Sequence, residues 1–128
     1  MFDNVNWNEL LNNVISYLEK DWETLIIKAD ISKSSYSAKF YYAKKDKEFV
    51  DLYNVIDNEK TSAVFGDTVA ALKPITANFG SYGEGMFLTV KAERNGNVKV
   101  SYRYIKEADR LPYDEGNKYL QLNEKDYL

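Results

Sequence analysis

Apolar positions recur along this chain with two different periods, and the change of period marks the predicted secondary structure. Near the start, the apolar residues have the spacing of an amphipathic helix with one buried stripe. They are Trp7, Leu10, Leu11, Val14, Ile15 and Leu18. This pattern predicts a first helix from about Val5 to Lys20.

The next three segments alternate apolar and polar residues with a period of two, which is typical of strands. One face of the first segment carries Leu25, Ile27, Ala29 and Ile31, and one face of the second carries Tyr36, Ala38, Phe40 and Tyr42. The third segment, EFVDLYNVI, follows the polar turn KKDK. We expect these segments to form an antiparallel meander.

The middle of the chain has helical spacing but contains two residues that oppose a helix. Gly66 costs about 1 kcal/mol inside a helix, and Pro74 should end or kink one. We predict a helix near Asp67 to Lys73, with an earlier start at Thr61 and a kinked extension to Phe79 as alternatives. The sequence GSYGEG that follows lacks the lysine and Ser/Thr of a phosphate loop and indicates a flexible connector.

The strongest local signal is the run MFLTVKAERNGNVKVSYRYI, which predicts a hairpin because Asn95 and Gly96 suit the positive φ angles of a tight turn. One face of the hairpin should carry Met86, Leu88, Val90 and Ala92 together with Val98, Val100, Tyr102 and Tyr104. The opposite face should be solvated and carry Thr89, Lys91, Glu93, Lys99, Ser101 and Arg103.

Together these elements predict one α+β domain over residues 1–128, with a five-stranded antiparallel sheet and helices on one face, in the order α-β-β-β-α-β-β. The polar tail is interrupted by Pro112 and Gly116. We expect it to be a loop, with room for one short helix near Tyr119.

Composition narrows the function because the 128 residues include no histidine and no cysteine, but 11 tyrosines. Histidine is the usual general base near neutral pH, and both residue types are common metal ligands. No local signature of a carboxylate pair, a serine–lysine site or a calcium loop stands out. The sequence therefore favours a binding protein that is not an enzyme and holds no cofactor or metal.

The net charge and the N-terminal sequence indicate which classes of partner the protein is expected not to bind. The net charge is −3, which disfavours direct binding of nucleic acid. Residues 1–13 lack the positive charge and apolar run of a signal sequence or a membrane span, so a cytoplasmic protein without membrane attachment is expected.

Acidic residues cluster in two places, at 48–67 and in the tail from 107 to 128. Acidic patches attract basic partners, and exposed tyrosines are enriched at protein interfaces. A solvated loop and a frayed tail would produce the same pattern. Among the aromatic residues, we expect Trp7, Phe40, Tyr42 and Tyr102 in the core, and Tyr41, Tyr53, Tyr82 and Tyr113 on an outer face or in loops.

The order of elements resembles the YezG-like immunity family over roughly residues 5–115. The similarity lies in Trp22 of DWETLIIKADI, the aromatic strand KFYYAKKDKEFVDLYNV, a middle helix, the strand KVSYRYI and Leu111-Pro112-Tyr113. Gly66 and Pro74 in the middle helix depart from the family pattern, as does the short tail. Members are cytosolic antitoxins of polymorphic toxin systems, and several neutralise nuclease toxins by direct binding.

The resemblance implies an immunity protein that binds a cognate toxin and blocks its active site or substrate surface. The toxin that we expect is a basic nuclease domain. The candidate toxin-binding residues are Asp51, Tyr53, Asp57, Glu59, Tyr82, Asp109, Tyr113, Asp114 and Glu115. Two alternatives remain at this point. One is an adaptor or subunit of a larger assembly, and the other is a small carbohydrate-binding or hydrolytic domain.

Overall fold

The computed structural model of the protein describes residues 4–32, 35–77, 79, 85–106 and 118–127. Within this part of the chain, the strands form a five-stranded antiparallel sheet in the order β3-β2-β1-β4-β5. The elements are α1 Trp7–Ile15, β1 Trp22–Ser32, β2 Tyr36–Lys44, β3 Val50–Asp51, α2 Asn58–Thr76, β4 Gly85–Glu93, β5 Val98–Ile105 and α3 Glu124–Tyr127. The predicted α+β class and the order of its first seven elements are confirmed.

Helices α1 and α2 pack against one face of the sheet and against each other. The face that they cover is the one predicted from the alternation in β1 and β2. The buried residues of these two strands on this face are Leu25, Ile27, Ala29, Ile31, Ala38, Phe40 and Tyr42. A single apolar core therefore lies between the two helices and the three inner strands.

The first helix is shorter than predicted. It begins at Trp7, where the Asn6 side chain caps it by accepting a hydrogen bond from the Glu9 amide, and it ends at Ile15. The hydroxyl of Ser16 then donates to the Asn13 carbonyl at 2.6 Å, and the chain continues in turns. Serine hydroxyls compete with the backbone for such carbonyls, which is one reason that the helix does not reach Lys20.

The second helix is longer than predicted and runs through both Gly66 and Pro74. Asp57 accepts a hydrogen bond from the Lys60 amide at 2.8 Å and so starts the helix at Asn58, before both the predicted start near Asp67 and the alternative start at Thr61. Burial of Val64, Leu72 and Ile75 in the core compensates for the poor helix propensity of glycine and proline. Phe79 lies beyond the end of the helix.

The third predicted strand is reduced to Val50 and Asp51. The Asp51 side chain accepts a hydrogen bond from the Tyr53 amide, and this capping contact turns the chain into a 3-10 helix over Leu52–Asn54. Of the predicted strand residues, Leu52 enters the core, whereas Val55 is 50% exposed.

The hairpin register is confirmed, with Ala92 opposite Val98 and Met86 opposite Tyr104. The turn differs from the prediction, since Gly96 has a positive φ of 100° and Asn95 does not. Tyr102 was predicted in the core, and this is wrong because it is 49% exposed. On the face that the helices cover, the buried core ends at β4, and Val100 of the edge strand β5 packs against it. Ile105 of β5 is buried on the opposite face.

Other predicted features fall partly or wholly outside the described residues. The connector GSYGEG lies there except for Gly85, and so do Pro112 and Gly116 of the tail. Lys118 and Tyr119 are helical, which agrees with the short helix predicted near Tyr119, and the further short helix α3 begins at Glu124. Trp7 is partly buried and packs against the core, as expected.

Substituting alanine at two glycines should change stability in opposite directions. Gly96→Ala forces a side chain into a positive φ and should lower the free energy of unfolding by about 1 kcal/mol. Gly66→Ala is the matched control, because it adds the same methyl group to an open position inside α2 and should raise stability by about 1 kcal/mol. Urea unfolding followed by circular dichroism measures both, and equal shifts in one direction would contradict the assigned backbone conformations.

Candidate functional site

The described acidic candidates lie together where the edge strand β3 leads into α2. We call Asp51, Tyr53, Asp57 and Glu59 the acidic edge. Asp51 and Tyr53 are partly buried, whereas Asp57 and Glu59 are exposed. That these residues contact a partner stays a prediction. Their contacts within the protein determine which charges and polar groups each could offer to a partner.

Asp51 and Tyr53 are already engaged within the protein. The Asp51 carboxylate caps the 3-10 helix and forms an ion pair with Lys39. The ammonium of Lys39 also lies 5.0 Å from the ring centre of Tyr53. The Tyr53 hydroxyl donates to the Ala38 carbonyl at 2.8 Å, and its ring meets Phe40 edge-on. Most of the charge of Asp51 is therefore balanced inside the fold.

Asp57 and Glu59 belong to the first turn of α2, where negative charge is favoured by the helix dipole. Asp57 keeps its charge exposed to solvent even though it caps the helix. Beside them in sequence, Val50 and Val55 are 41% and 50% exposed. The segment from β3 to α2 thus combines the two exposed carboxylates of the acidic edge with the two exposed valines.

The remaining candidates lie outside the described residues, so the structure does not place them relative to the acidic edge. They are Tyr82, Asp109, Tyr113, Asp114 and Glu115.

The sheet face opposite the helices was predicted to be solvated at the hairpin, where Lys99, Ser101 and Arg103 are indeed exposed, but on the central strand β1 the same face is covered. Lys28 lies in the middle of β1 with 1% of its surface exposed. Its ammonium donates to Asp126 Oδ2 at 2.8 Å and to the Gln121 carbonyl at 3.1 Å, and it lies 4.5 Å from the ring centre of Tyr119. The C-terminal segment 118–127 therefore covers this lysine.

Aromatic contacts hold the same segment against the neighbouring strands. The ring of Tyr119 stacks on Phe87 of β4 at 4.5 Å between centres, and its hydroxyl is hydrogen-bonded to Thr89. From β2, the Tyr41 hydroxyl donates to the Leu120 carbonyl at 2.7 Å. Burial raises the pKa of both Tyr41 and Tyr119, so both phenols remain protonated and able to donate.

A cleft of about 380 Å³ opens between the C-terminal segment and the sheet. Its charged lining consists of Lys28, Lys91, Lys99, Lys125 and Asp126. We call it the lysine cleft. Asp126 balances Lys28, and for Lys91, Lys99 and Lys125 no ion pair is formed with any residue in the described ranges. The protein as a whole is acidic, but this cleft carries a local excess of positive charge.

The alternation in β4 and β5 predicts that Lys91 and Lys99 lie close together on one face of the hairpin. It does not indicate that this face borders a cleft. The contributions of Lys28 and Lys125 required the tail to fold back over β1, and no local pattern indicates this contact across more than 90 residues.

The described residues contain no group of three or more acidic side chains arranged to hold a metal ion. None of the helices in the described ranges has the length and apolar character needed to cross a membrane. The sequence matches no protein-family model and no curated protein.

Removing the negative partner of the buried lysine should destabilise the protein strongly. Asp126→Asn leaves the Lys28 ammonium without a counter-charge, and we expect a loss of about 3 kcal/mol in the free energy of unfolding. Adding Lys28→Met to this variant should recover most of the loss, because an apolar side chain then fills the same space. Urea titration at pH 7 measures the three proteins.

The exposed pair of Glu19 and Lys44 provides the control. These side chains are 49% and 36% exposed, so water screens their charges, and Glu19→Gln should cost much less than Asp126→Asn. A similar cost for Glu19→Gln and Asp126→Asn would show that the C-terminal segment does not bury Lys28.

The Tyr53 phenol should make stability depend on alkaline pH. Burial, followed by the nearby charge of Asp51, raises the pKa of Tyr53 to about 12, compared with about 10 in an unfolded chain. The folded state therefore holds this proton more tightly, and the associated stability is complete below pH 10 and lost between about pH 10 and 12. Tyr53→Phe should cost about 1 kcal/mol at pH 8 through the lost hydrogen bond and should flatten the decline above pH 10. Burial also raises the pKa of Tyr41, Tyr42 and Tyr119, so part of the decline should remain. An unchanged slope of stability against pH in this variant would exclude Tyr53 from the groups that cause it.

Proposed function

We propose that this protein is a non-enzymatic immunity protein that binds the toxic domain of a cognate bacterial effector and blocks its active site or substrate surface. The similarity to the YezG-like family motivates the class of partner. The proposal includes a cytoplasmic site of action, where an arriving toxin would reach its substrate.

The observation that carries the proposal is the composition of the acidic edge. Stable protein interfaces combine an apolar centre with a polar rim. Here Val50 and Val55 are exposed and precede the exposed carboxylates of Asp57 and Glu59 closely in the sequence. Valines in this setting are better suited to contact with another protein than with water.

Electrostatics favours a basic partner at this edge. Nuclease domains that grip phosphates present lysine and arginine side chains, and acidic groups accelerate the encounter with such surfaces. Glu59 has no ion-pair partner among the described residues and lies in the first turn of α2. It is therefore the clearest electrostatic contact of the set, because Asp51 is neutralised by Lys39 and Asp57 caps the helix.

The inhibition itself would be steric. An edge built from a short strand, a 3-10 helix and a helix N-terminus is held by capping contacts and the core residue Leu52. A surface that is already ordered loses little conformational entropy on binding. The apolar contacts would supply affinity, and the carboxylates would supply the association rate and the preference for a basic surface.

Co-expression with the toxin domain encoded by a neighbouring gene tests the proposal. The protein should rescue growth and co-purify with that toxin. Glu59→Lys should slow association by about threefold to tenfold at low salt, because it reverses one steering charge. Stopped-flow or surface plasmon resonance measurements at two salt concentrations check this effect, which should shrink as salt rises.

Glu9→Lys is the matched control, since Glu9 is also an exposed acid in the first turn of a helix. Both substitutions have the same unfavourable interaction with a helix dipole, so a difference between them reports on the interface. Equal association rates for the two variants would remove Glu59 from the interface. Failure of both rescue and co-purification would overturn the immunity function itself.

A further inference from the structure

We propose that the lysine cleft binds a small phosphorylated molecule, through Lys91, Lys99 and Lys125. The cleft lies on the opposite face of the sheet from α2. Binding there is therefore separate from the proposed toxin contact and does not depend on it.

The first step of the argument is the pairing of lysines across strands. Lys28 lies directly opposite Lys39, and Lys91 lies directly opposite Lys99, all four on the same face of the sheet. Side chains in such positions have their Cβ atoms about 5 Å apart, and like charges there are destabilising. Two such pairs on one face require an explanation.

The first pair is neutralised within the protein. Asp126 accepts from Lys28, and Asp51 accepts from Lys39, so each lysine has a carboxylate of its own. For Lys91 and Lys99, no carboxylate within the described ranges lies at ion-pair distance. A bound anion at the second pair would supply the negative charge that Asp126 and Asp51 supply at the first.

The shape and lining of the cleft favour a small molecule. Its volume of about 380 Å³ lies within the range of roughly 300–1,000 Å³ that is typical of small-molecule sites. Ser101 and Asn123 also line it and offer a hydroxyl and an amide. Asn123 Oδ1 accepts a hydrogen bond from the Lys125 amide, which leaves its NH₂ group available to donate towards a ligand.

The number of charges favours phosphate over a single carboxylate. A phosphate monoester carries about −1.5 to −2 at pH 7 and offers three acceptor oxygens. Three lysines around one cleft match a group with two or more negative charges, and lysine binds phosphate as a point charge without the planar geometry that arginine requires. A nucleic-acid strand would need a longer basic track than this cleft supplies.

Thermal unfolding with defined probes tests the proposal. Sodium pyrophosphate at 10 mM, with ionic strength held constant by NaCl, should raise the Tm of the intact chain by roughly 3–6 °C if the Kd is near 1 mM. Adenosine triphosphate at the same concentration tests an organic source of the same group. A larger shift with the nucleotide assigns an organic phosphate, and equal shifts assign the inorganic group.

Two variants locate the binding. Lys91→Gln and Lys99→Gln should each remove most of the shift, while Lys73→Gln, an exposed lysine on α2, should keep it. Without ligand, Lys99→Gln should also raise the Tm by roughly 1–3 °C, because it removes the repulsion from Lys91. This second readout shows that the variant folds.

Four outcomes would overturn the proposal. They are no shift with either phosphate, a shift that all three variants retain, an equal shift with sodium sulfate, and tighter lysine-dependent binding of a poly-aspartate peptide or an oligonucleotide than of pyrophosphate. The third would indicate general anion screening, and the fourth would assign the cleft to a macromolecule.

Discussion

A lysine at the centre of the central strand is the constraint on which the second layer of this fold depends. Lys28 lies midway along β1, which pairs with β2 on one side and β4 on the other. An ammonium group at that position cannot be left buried without a counter-charge, since the cost would be several kcal/mol. Asp126 and the Gln121 carbonyl meet this need, and they bring the C-terminal segment onto the sheet.

The ion pair also gives the contact its specificity. An apolar residue at position 28 could pack against many apolar tails in several registers, whereas an ammonium requires one carboxylate at one distance. Stacking of Tyr119 on Phe87 and the hydrogen bond from Tyr41 to the Leu120 carbonyl fix the same segment at two further points. Three contacts on three neighbouring strands thus determine where the segment lies, and the lysine cleft exists because this placement leaves a gap beside β4 and β5.

The sequence was sufficient for the parts of the fold in which a strict period meets a single buried face. Alternation in β1, β2 and the hairpin predicted the correct faces, and in the hairpin it also predicted the correct register. The sequence pattern was misleading where a side chain contacts the nearby backbone, because Asp51 caps a 3-10 helix and thereby ends β3. It was also misleading in α2, where burial offsets the poor helix propensity of Gly66 and Pro74. The burial of Lys28 was beyond local reasoning, because its partners are 93 and 98 residues away.

The distribution of ion pairs limits what each surface can offer to a partner. On the acidic edge, Asp51 forms an ion pair with Lys39, and the Tyr53 hydroxyl donates to the Ala38 carbonyl, so neither group is available to a partner. The proposed recognition would therefore rest on Glu59, on the exposed charge of Asp57 and on Val50 and Val55, and the contact would be small and partly apolar. In the lysine cleft the balance is reversed, since four lysines line it with one carboxylate, which pairs with Lys28 alone. The proposed anion and the proposed basic partner would therefore occupy different surfaces of the protein, so that neither ligand would have to displace the other.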